Sequence, residues 1–318
     1  MRTQLDMFDI AGGASSSVPA ARSKAKSAPA SEDMARQLEA SGDFRVLRRL
    51  PHRETAAEPS VGFPYTAVIV DTETTGLDHT IHEVIEIGLI AVGFDAAGNI
   101  GEVIATYNGL QQPQEPVPAE ITKLTGITDE MVEGQTIDLA AVSQIVASAD
   151  IVIAHNARFD RPFCEALCKG FSDRAWACSV TEIDWADHGY EGTKLAYLLG
   201  QAGYFHDGHR ALDDCFALLQ VLSVEDDERS AFSELWTNSH KTRVRVYAEH
   251  APYEMKDRLR AKGYRWSDGQ NGTPRAWWLD LDEDLLADEL QFLRTEIYGW
   301  DEAEPAMHRL TAFERFKA

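Results

Sequence analysis

The order of apolar and polar positions divides the chain into blocks. From Tyr65 the run YTAVIV is apolar and rich in β-branched residues; VIEIGLIAVGF from Val84 and EVIATYNGL after the turn around Gly98 and Asn99 repeat that character. Three such runs in succession predict a strand meander. Beyond them the period changes. Residues 118–125 and 138–149 have helical spacing, 150–155 reads as a buried strand feeding a helix that starts near Ala157, and further helices are expected over 194–202 and 211–222. Strands first, then helices around one more strand, predict an α/β domain over residues 61–235, a mixed sheet with helices on its faces.

The flanks read differently. Residues 1–31 are dominated by Ala, Ser and Gly and cannot bury a core, so a flexible tail is expected. Residues 32–60 are expected to form an accessory helix and linker. The helix would run over 32–52, with Met34, Leu38, Val46 and Leu47 on one face, and end near Pro51. The acidic EDDE at Glu225 to Glu228 reads as a solvated helix end. Residues 236–318 then predict a small α+β domain. It would contain a strand from Arg243, a helix with Met255, Leu259 and Ala261, a stop at Gly263, and an aromatic strand with Trp277 and Trp278. Lys256, Arg258, Arg260, Lys262 and Arg265 beside Tyr264, Trp266 and Trp277 allow two readings. They form a basic, aromatic surface for a single strand, or the tryptophans are core and the cations a solvated helix face.

Composition narrows the classes. With 44% hydrophobic residues and seven tryptophans there is material for one sizeable core and a second small one. No apolar run approaches the roughly 20 residues of a bilayer-spanning helix, and no secretory signal pattern opens the chain, so a cytoplasmic protein without a membrane partner is expected. Cys164, Cys168, Cys178 and Cys215 form no C-x-x-C pair, which predicts free thiols rather than a zinc site. A net charge of -22 argues against wrapping duplex DNA. It leaves open a strand end drawn to bound cations, because divalent ions invert the electrostatics of an acidic cleft.

Three segments carry candidate chemistry. Asp71-Thr72-Glu73-Thr74-Thr75-Gly76 ends the first strand, and alternation puts Asp71 and Glu73 on one side, a hard-oxygen pair suited to Mg²⁺ or Mn²⁺. His155-Asn156-Ala157-Arg158-Phe159-Asp160 follows a buried strand and sets Asp160 in the first turn of a helix. His209-Arg210-Ala211-Leu212-Asp213-Asp214 heads another helix, with His209 just before it and Asp214 in its opening turns. Singly, each has an ordinary explanation as a solvated strand end or a helix cap. Together they place four acids and one histidine on three rigid elements of one domain.

In this order, D-T-E-T-T-G, H-N-A-x-F-D and H-x-x-x-x-D resemble the DEDDh exonucleases, the superfamily that includes the proofreading epsilon subunit of bacterial DNA polymerase III. VPAEITKLTGITDEMV from Val117 is similar to the family's intervening segment, and the resemblance spans residues 64–224. It implies a ribonuclease H-like fold and a 3′-to-5′ exonuclease with two divalent ions, Mg²⁺ or Mn²⁺. Asp71, Glu73 and Asp214 would ligate one ion, Asp71 being shared with a second that Asp160 supports through water. His209 would take the proton of the attacking water, and nucleoside 5′-monophosphates would be released. The sister class carries a tyrosine four positions before the last aspartate, where this chain has Arg210. By the same resemblance Thr74, Gly76 and Leu77 meet the terminal base, and Asn156 and Phe159 contact the strand.

The implied partner is a single-stranded or frayed 3′ end of DNA. Trimming of RNA ends is the alternative, and a non-catalytic replication adaptor a second one. Gln4, Leu5, Met7 and Phe8 resemble the short peptide that docks on the bacterial sliding clamp, which would tie the chain to replication or repair, with a DNA polymerase as a further partner. The C-terminal KD-x-x-x-x-x-G-x-x-W pattern resembles small domains of uncharacterised function that accompany DNA-processing enzymes.

Overall fold

The structure is a computed structural model and describes residues 28–56, 61–226, 229–269 and 273–317. Gln4, Leu5, Met7 and Phe8 lie outside the described residues. Two units are distinguished, one up to Val46 and one from Leu47. In the first, helix α1 (Ala28–Ala40) stops well short of the expected end at Pro51. Ser41 closes it through its hydroxyl to the Leu38 carbonyl at 2.6 Å, and Gly42 follows at φ 78°, a left-handed stop that the apolar spacing does not register. Val46 and Leu47 therefore lie beyond the helix.

The second unit is organised by a five-stranded sheet. Strands β1 (Tyr65–Thr74), β2 (Val84–Phe94) and β3 (Ile100–Leu110) are antiparallel neighbours; β4 (Ile151–Ala154) runs parallel to β1 and β5 (Trp176–Cys178) parallel to β4. The spatial order β3-β2-β1-β4-β5 is the ribonuclease H-like mixed sheet that the resemblance implies. Both faces are covered. Ala67 and Ile69 of β1 pack with Phe216, Leu219, Phe232 and Leu235 on one side, and Val68 and Val70 pack with Val142, Val146, Phe163 and Cys164 on the other. Period-two alternation thus sends successive β1 residues into two separate cores. A sheet buried on both faces needs no polar side, which is why β2 reads as an unbroken apolar run.

The covering helices are α2 (Leu139–Ala147) and α3 (Ala157–Leu167) on one face, and α4 (Leu195–Gln201), α5 (Ala211–Leu222) and α6 (Ala231–Ser239) on the other. After α5 the expected acidic helix end is absent. Ser223 returns its hydroxyl to the Leu219 carbonyl at 2.6 Å, and Glu225 and Asp226 pair antiparallel with Ser230 and Arg229. The helix has ended before the carboxylates begin. No described helix is long and apolar enough to cross a membrane, and the four cysteines are free.

A second, four-stranded antiparallel sheet follows in the order β7-β8-β6-β9: β6 (Arg243–Ala248), β7 (Arg265–Trp266), β8 (Trp277–Asp282) and β9 (Met307–Leu310). The alternation RVRVYA buries Val244, Val246 and Ala248 with Leu259, Tyr264, Leu281, Leu293 and Ile297 in a core of their own. This core is closed by α7 (Lys256–Ala261) and α8 (Leu286–Phe292).

The chain end then returns to the first sheet as a strap. The Trp176 amide donates to the Ala312 carbonyl at 2.8 Å, and Phe316 joins the core beneath α3. Arg161 of α3, fully buried, donates to the carbonyls of Arg315 at 2.6 Å and Phe313 at 2.8 Å, and to Glu165 at 2.6 Å. A buried guanidinium satisfied by backbone carbonyls is costly to disturb.

Candidate active site

Asp71 and Glu73 stand on the face of β1 that also carries Ala67 and Ile69, and α5 crosses that face. The close crossing has a specific cause at Gly88, which pairs with Asp71 in the β1–β2 ladder. A Cβ at Gly88 would lie 2.4 Å from the Ala211 carbonyl carbon and 2.4 Å from the Leu212 nitrogen. Only glycine lets the first turn of α5 rest on the strand backbone. That turn carries Asp214. As a result one carboxylate oxygen from each of Asp71, Glu73 and Asp214 lies within 4.8 Å of the other two, a grouping able to hold a metal ion.

Asp214 is fixed from both of its oxygens. Oδ2 accepts the backbone N–H groups of His209 at 2.8 Å and Arg210 at 3.1 Å, and Oδ1 lies 2.7 Å from Nε2 of His206. Asp160 sits on α3, beyond the opposite face of β1, and is 3% exposed. Its Oδ1 accepts both the Thr72 N–H at 3.2 Å and the Thr72 hydroxyl at 2.8 Å. It therefore stands outside the three-carboxylate group but is tied to the residue between Asp71 and Glu73. His209 is exposed and adopts φ 65°, an uncommon conformation for a residue other than glycine. Its backbone, rather than any histidine-specific contact, joins it to Asp214. Both ring nitrogens of His155 are engaged outside the carboxylate group, Nε2 2.7 Å from the Thr193 carbonyl and Nδ1 2.8 Å from the Ser179 hydroxyl.

The electrostatics favour protons or cations. Burial, then the charges of Asp160, Asp214, Glu73 and Glu86, push Asp71 well above the usual carboxylate range. Burial, then Asp214, Glu86 and Asp160, lift Glu73 to about 8. Burial lifts Asp160 to about 7 against the opposing bonds from Thr72. Hard oxygens crowded at this density fit a divalent cation, which relieves the mutual repulsion that protons otherwise relieve.

Three residues outside the sequence motifs shape this site. Glu86 of β2, opposite Glu73 in the ladder, is fully buried. It accepts from Arg210 Nη2 at 2.8 Å and Nε at 3.1 Å, from Asn108 at 3.0 Å and from the Ala211 N–H at 3.1 Å. A lone acid inside VIEIGLI is a signal available in the sequence, since a buried carboxylate requires a cation. His206 and Gly88 carried no such signal. His206 lies in a loop whose path the pattern does not fix, and Gly88 depends on a helix more than a hundred positions away.

The residues expected at the strand end divide into two kinds. Leu77 is 85% exposed and stands near Ile81 at 73%, whereas Thr74 is buried and gives its hydroxyl to the Gly76 carbonyl at 2.6 Å. At Gly76 a Cβ would fall 2.5 Å from Nε2 of His82, so a larger residue there would have to displace that imidazole. Asn156 is exposed at φ 95°, and Phe159 packs against Phe163 at 5.1 Å.

The expected basic face of α7 is largely neutralised. Arg258 pairs with Glu296, Lys262 with Glu289 at 2.9 Å and Arg260 with Asp257 at 3.6 Å, while Lys256 donates to the Tyr253 hydroxyl at 2.7 Å. Arg265 differs, lying over the Trp278 ring at 5.7 Å.

Residues 68–222 match the model of the RNase T exonuclease family. The DNA polymerase III subunit epsilon of Treponema pallidum is 31% identical over 165 residues, which are 48% of this chain and 73% of that protein. A PolC-type DNA polymerase III of Thermotoga petrophila is 30% identical over 171 residues, and there the match covers 49% of this chain but only 11% of the polymerase. The chain thus spans about a tenth of the length of its PolC-type relatives. Among solved structures, exonuclease X in complex with 5′ overhanging duplex DNA aligns with a TM-score of 0.37 at 20% identity, over 52% of this chain and 99% of that one. Exonuclease I of E. coli in complex with an oligonucleotide aligns at 0.44 and 17%, over 79% of this chain and 64% of that one. From the family match and the extent of the epsilon relative, the chain belongs to the RNase T exonuclease family.

Proposed function

We propose that the chain is a 3′-to-5′ exonuclease of the DEDDh class that removes nucleotides from single-stranded or frayed 3′ ends of DNA as nucleoside 5′-monophosphates. One observation carries this reading: three carboxylates from a strand end and a helix start converge within 4.8 Å, beside a histidine-bearing loop tied to one of them. Divalent cations, when bound, supply the positive charge that activates a water and stabilises the departing oxygen. Asp71, Glu73 and Asp214 would hold one, and Asp160 would support a second that shares Asp71. His209 accepts the proton of the attacking water, a role its exposure permits. The Arg210–Glu86 pair fixes the turn that presents His209 and Asp214. Leu77, exposed at the end of the first motif, offers an apolar surface to the terminal base, and such contacts tolerate any sequence.

The relatives are DNA polymerase III proteins, which favours a place in proofreading or repair with a polymerase as partner. The peptide with Gln4, Leu5, Met7 and Phe8 would add attachment to the sliding clamp. For the activity, 5′-labelled single-stranded DNA and RNA are incubated with the purified chain and Mg²⁺ or Mn²⁺. A ladder of shortened DNA with release of 5′-mononucleotides is expected. Digestion of RNA alone would move the substrate to RNA ends, and no shortening of either would refute the reading.

A further inference from the structure

The second sheet and α3 enclose a cleft of about 330 Å³ whose walls include His79, Arg158, Arg245, Trp266, Trp278 and Lys317. Its chemistry is opposite to that of the carboxylate site. Three guanidinium groups surround one indole: Arg245 lies 4.3 Å from the Trp278 ring centroid, Arg158 4.8 Å and Arg265 5.7 Å. Two acids are present. Asp280 takes a bidentate bond from Arg245 at 2.7 and 2.8 Å and a longer one from Arg158 at 3.3 Å, and Asp268 lines the cleft. Along the cleft wall itself Arg158, Arg245 and Lys317 outnumber Asp268, in a chain whose net charge is -22. Arg158 is held below the ordinary arginine range by burial, opposed by Asp280 and reinforced by its neighbours Arg265 and Arg245. An added anion would relieve that crowding.

Two further features select the ligand. Trp266 is 51% exposed on β7, at the edge of its sheet, propped edge-on against Trp277 at 5.6 Å, and it lines the cleft together with Trp278, so part of an indole is open to solvent there. Bases stack on such a face whatever their identity, while guanidinium groups meet phosphates. One wall also comes from segments that carry the catalytic acids. His79 belongs to the loop after Asp71–Gly76, and Arg158 stands in the same helical turn of α3 as Asp160.

We infer that the cleft between α3 and the second sheet binds the sugar-phosphate backbone of a single DNA strand on the 5′ side of the terminus being cut, with Trp266 as a stacking platform. The inference rests on the exonuclease reading and deepens it, by making the C-terminal module part of the substrate path.

Fluorescence anisotropy with the full-length chain, in the presence of a chelator so that nothing is digested, tests it on labelled single strands of about 16 and about 4 nucleotides. The longer strand should bind at least about tenfold more tightly, and Trp266→Ala and Lys317→Gln should each remove most of that advantage. Lys317→Gln should also flatten the log–log salt dependence by about 0.7. Trp300→Ala, exposed but outside the cleft, serves as the control. Photocrosslinking of a 5-bromodeoxyuridine strand to the unaltered chain gives an answer that does not depend on how variants fold: adducts should map to Trp266 or Trp278.

Unchanged affinity and salt slope in both variants, or adducts confined to other segments, would overturn the inference. So would equal displacement of the strand by polyglutamate, which would assign the cleft to an acidic peptide. If the chain digests DNA while the variants bind normally, the cleft fails and the exonuclease reading stands. If the variants weaken binding but the chain digests nothing, the activity fails instead.

Discussion

The two clefts of this molecule collect opposite charges by opposite means. At the carboxylate site each group is anchored to regular backbone: Asp71 and Glu73 by the alternation of β1, Asp214 by two N–H groups at the start of α5, and Asp160 by both donors of Thr72. Like charges held at fixed distances stay costly until a cation or proton arrives, and a metal ion tolerates little error in ligand position. At the arginine–tryptophan cleft the members come from six segments, and Arg158 and Arg245 lean on an indole and on Asp280. Stacking and phosphate contact are less directional, so a looser construction serves. The comparison teaches that the first cleft must be rigid before its ligand binds, whereas the second needs only the right charge and an exposed flat ring.

The sharpest way to break that contrast is to remove a carboxylate. Asp71→Asn should lower strand digestion by about a thousandfold or more, and His209→Ala by about a hundredfold, because groups that act as a unit lose most of their effect when one is taken away. Single-turnover rates at saturating Mg²⁺ check both. Normal rates in Asp71→Asn would remove the acid site from the chemistry.

Rigidity itself is tested at Gly88. Gly88→Ala forces α5 away from β1, with an expected loss of about 2 kcal/mol in denaturant unfolding and a weaker dependence of activity on Mg²⁺ concentration as Asp214 is displaced. An unaltered Mg²⁺ profile would mean that the close crossing does not position the acid.

The smallest expected effect concerns pH. Glu73, lifted to about 8, and Asp160, lifted to about 7, hold protons more tightly folded than unfolded, where carboxylates titrate near 4. Their contribution to the stability of the cation-free protein is therefore full below about pH 4 and is lost as pH rises through about 7 to 8. Melting temperature in a chelator should fall by a few degrees as pH is raised through that window, and Mg²⁺ should restore more at pH 9 than at pH 5. A flat profile would contradict the shifts. Metal uptake should correspondingly release protons.

Much of the carboxylate site was legible because its residues sit where local pattern is strongest. Asp71 and Glu73 end an apolar strand, and Asp160 and Asp214 open helices whose starts the apolar spacing locates; α5 falls on the expected 211–222. What pattern alone could not give were contacts between distant segments. Gly88 is required by Ala211, Glu86 by Arg210, and the strap by Arg161, and none of these pairs shares a local period. The overlong first helix failed for another reason, since Ser41-Gly42 is a backbone stop and apolar periodicity passes over it. The tryptophan cleft was half visible. The aromatic and basic residues of the C-terminal module stand out in the sequence, but α7 pairs its cations with nearby acids, and Arg158 enters from the other sheet's helix.

Manganese titration followed by electron paramagnetic resonance reaches the centre of this account, because it reads the carboxylate pocket without any substrate. At pH 8 the chain should take up about two Mn²⁺ ions in saturable sites, and Asp71→Asn should lose that uptake. Absence of saturable binding to the unaltered chain, or full binding to Asp71→Asn, would contradict it.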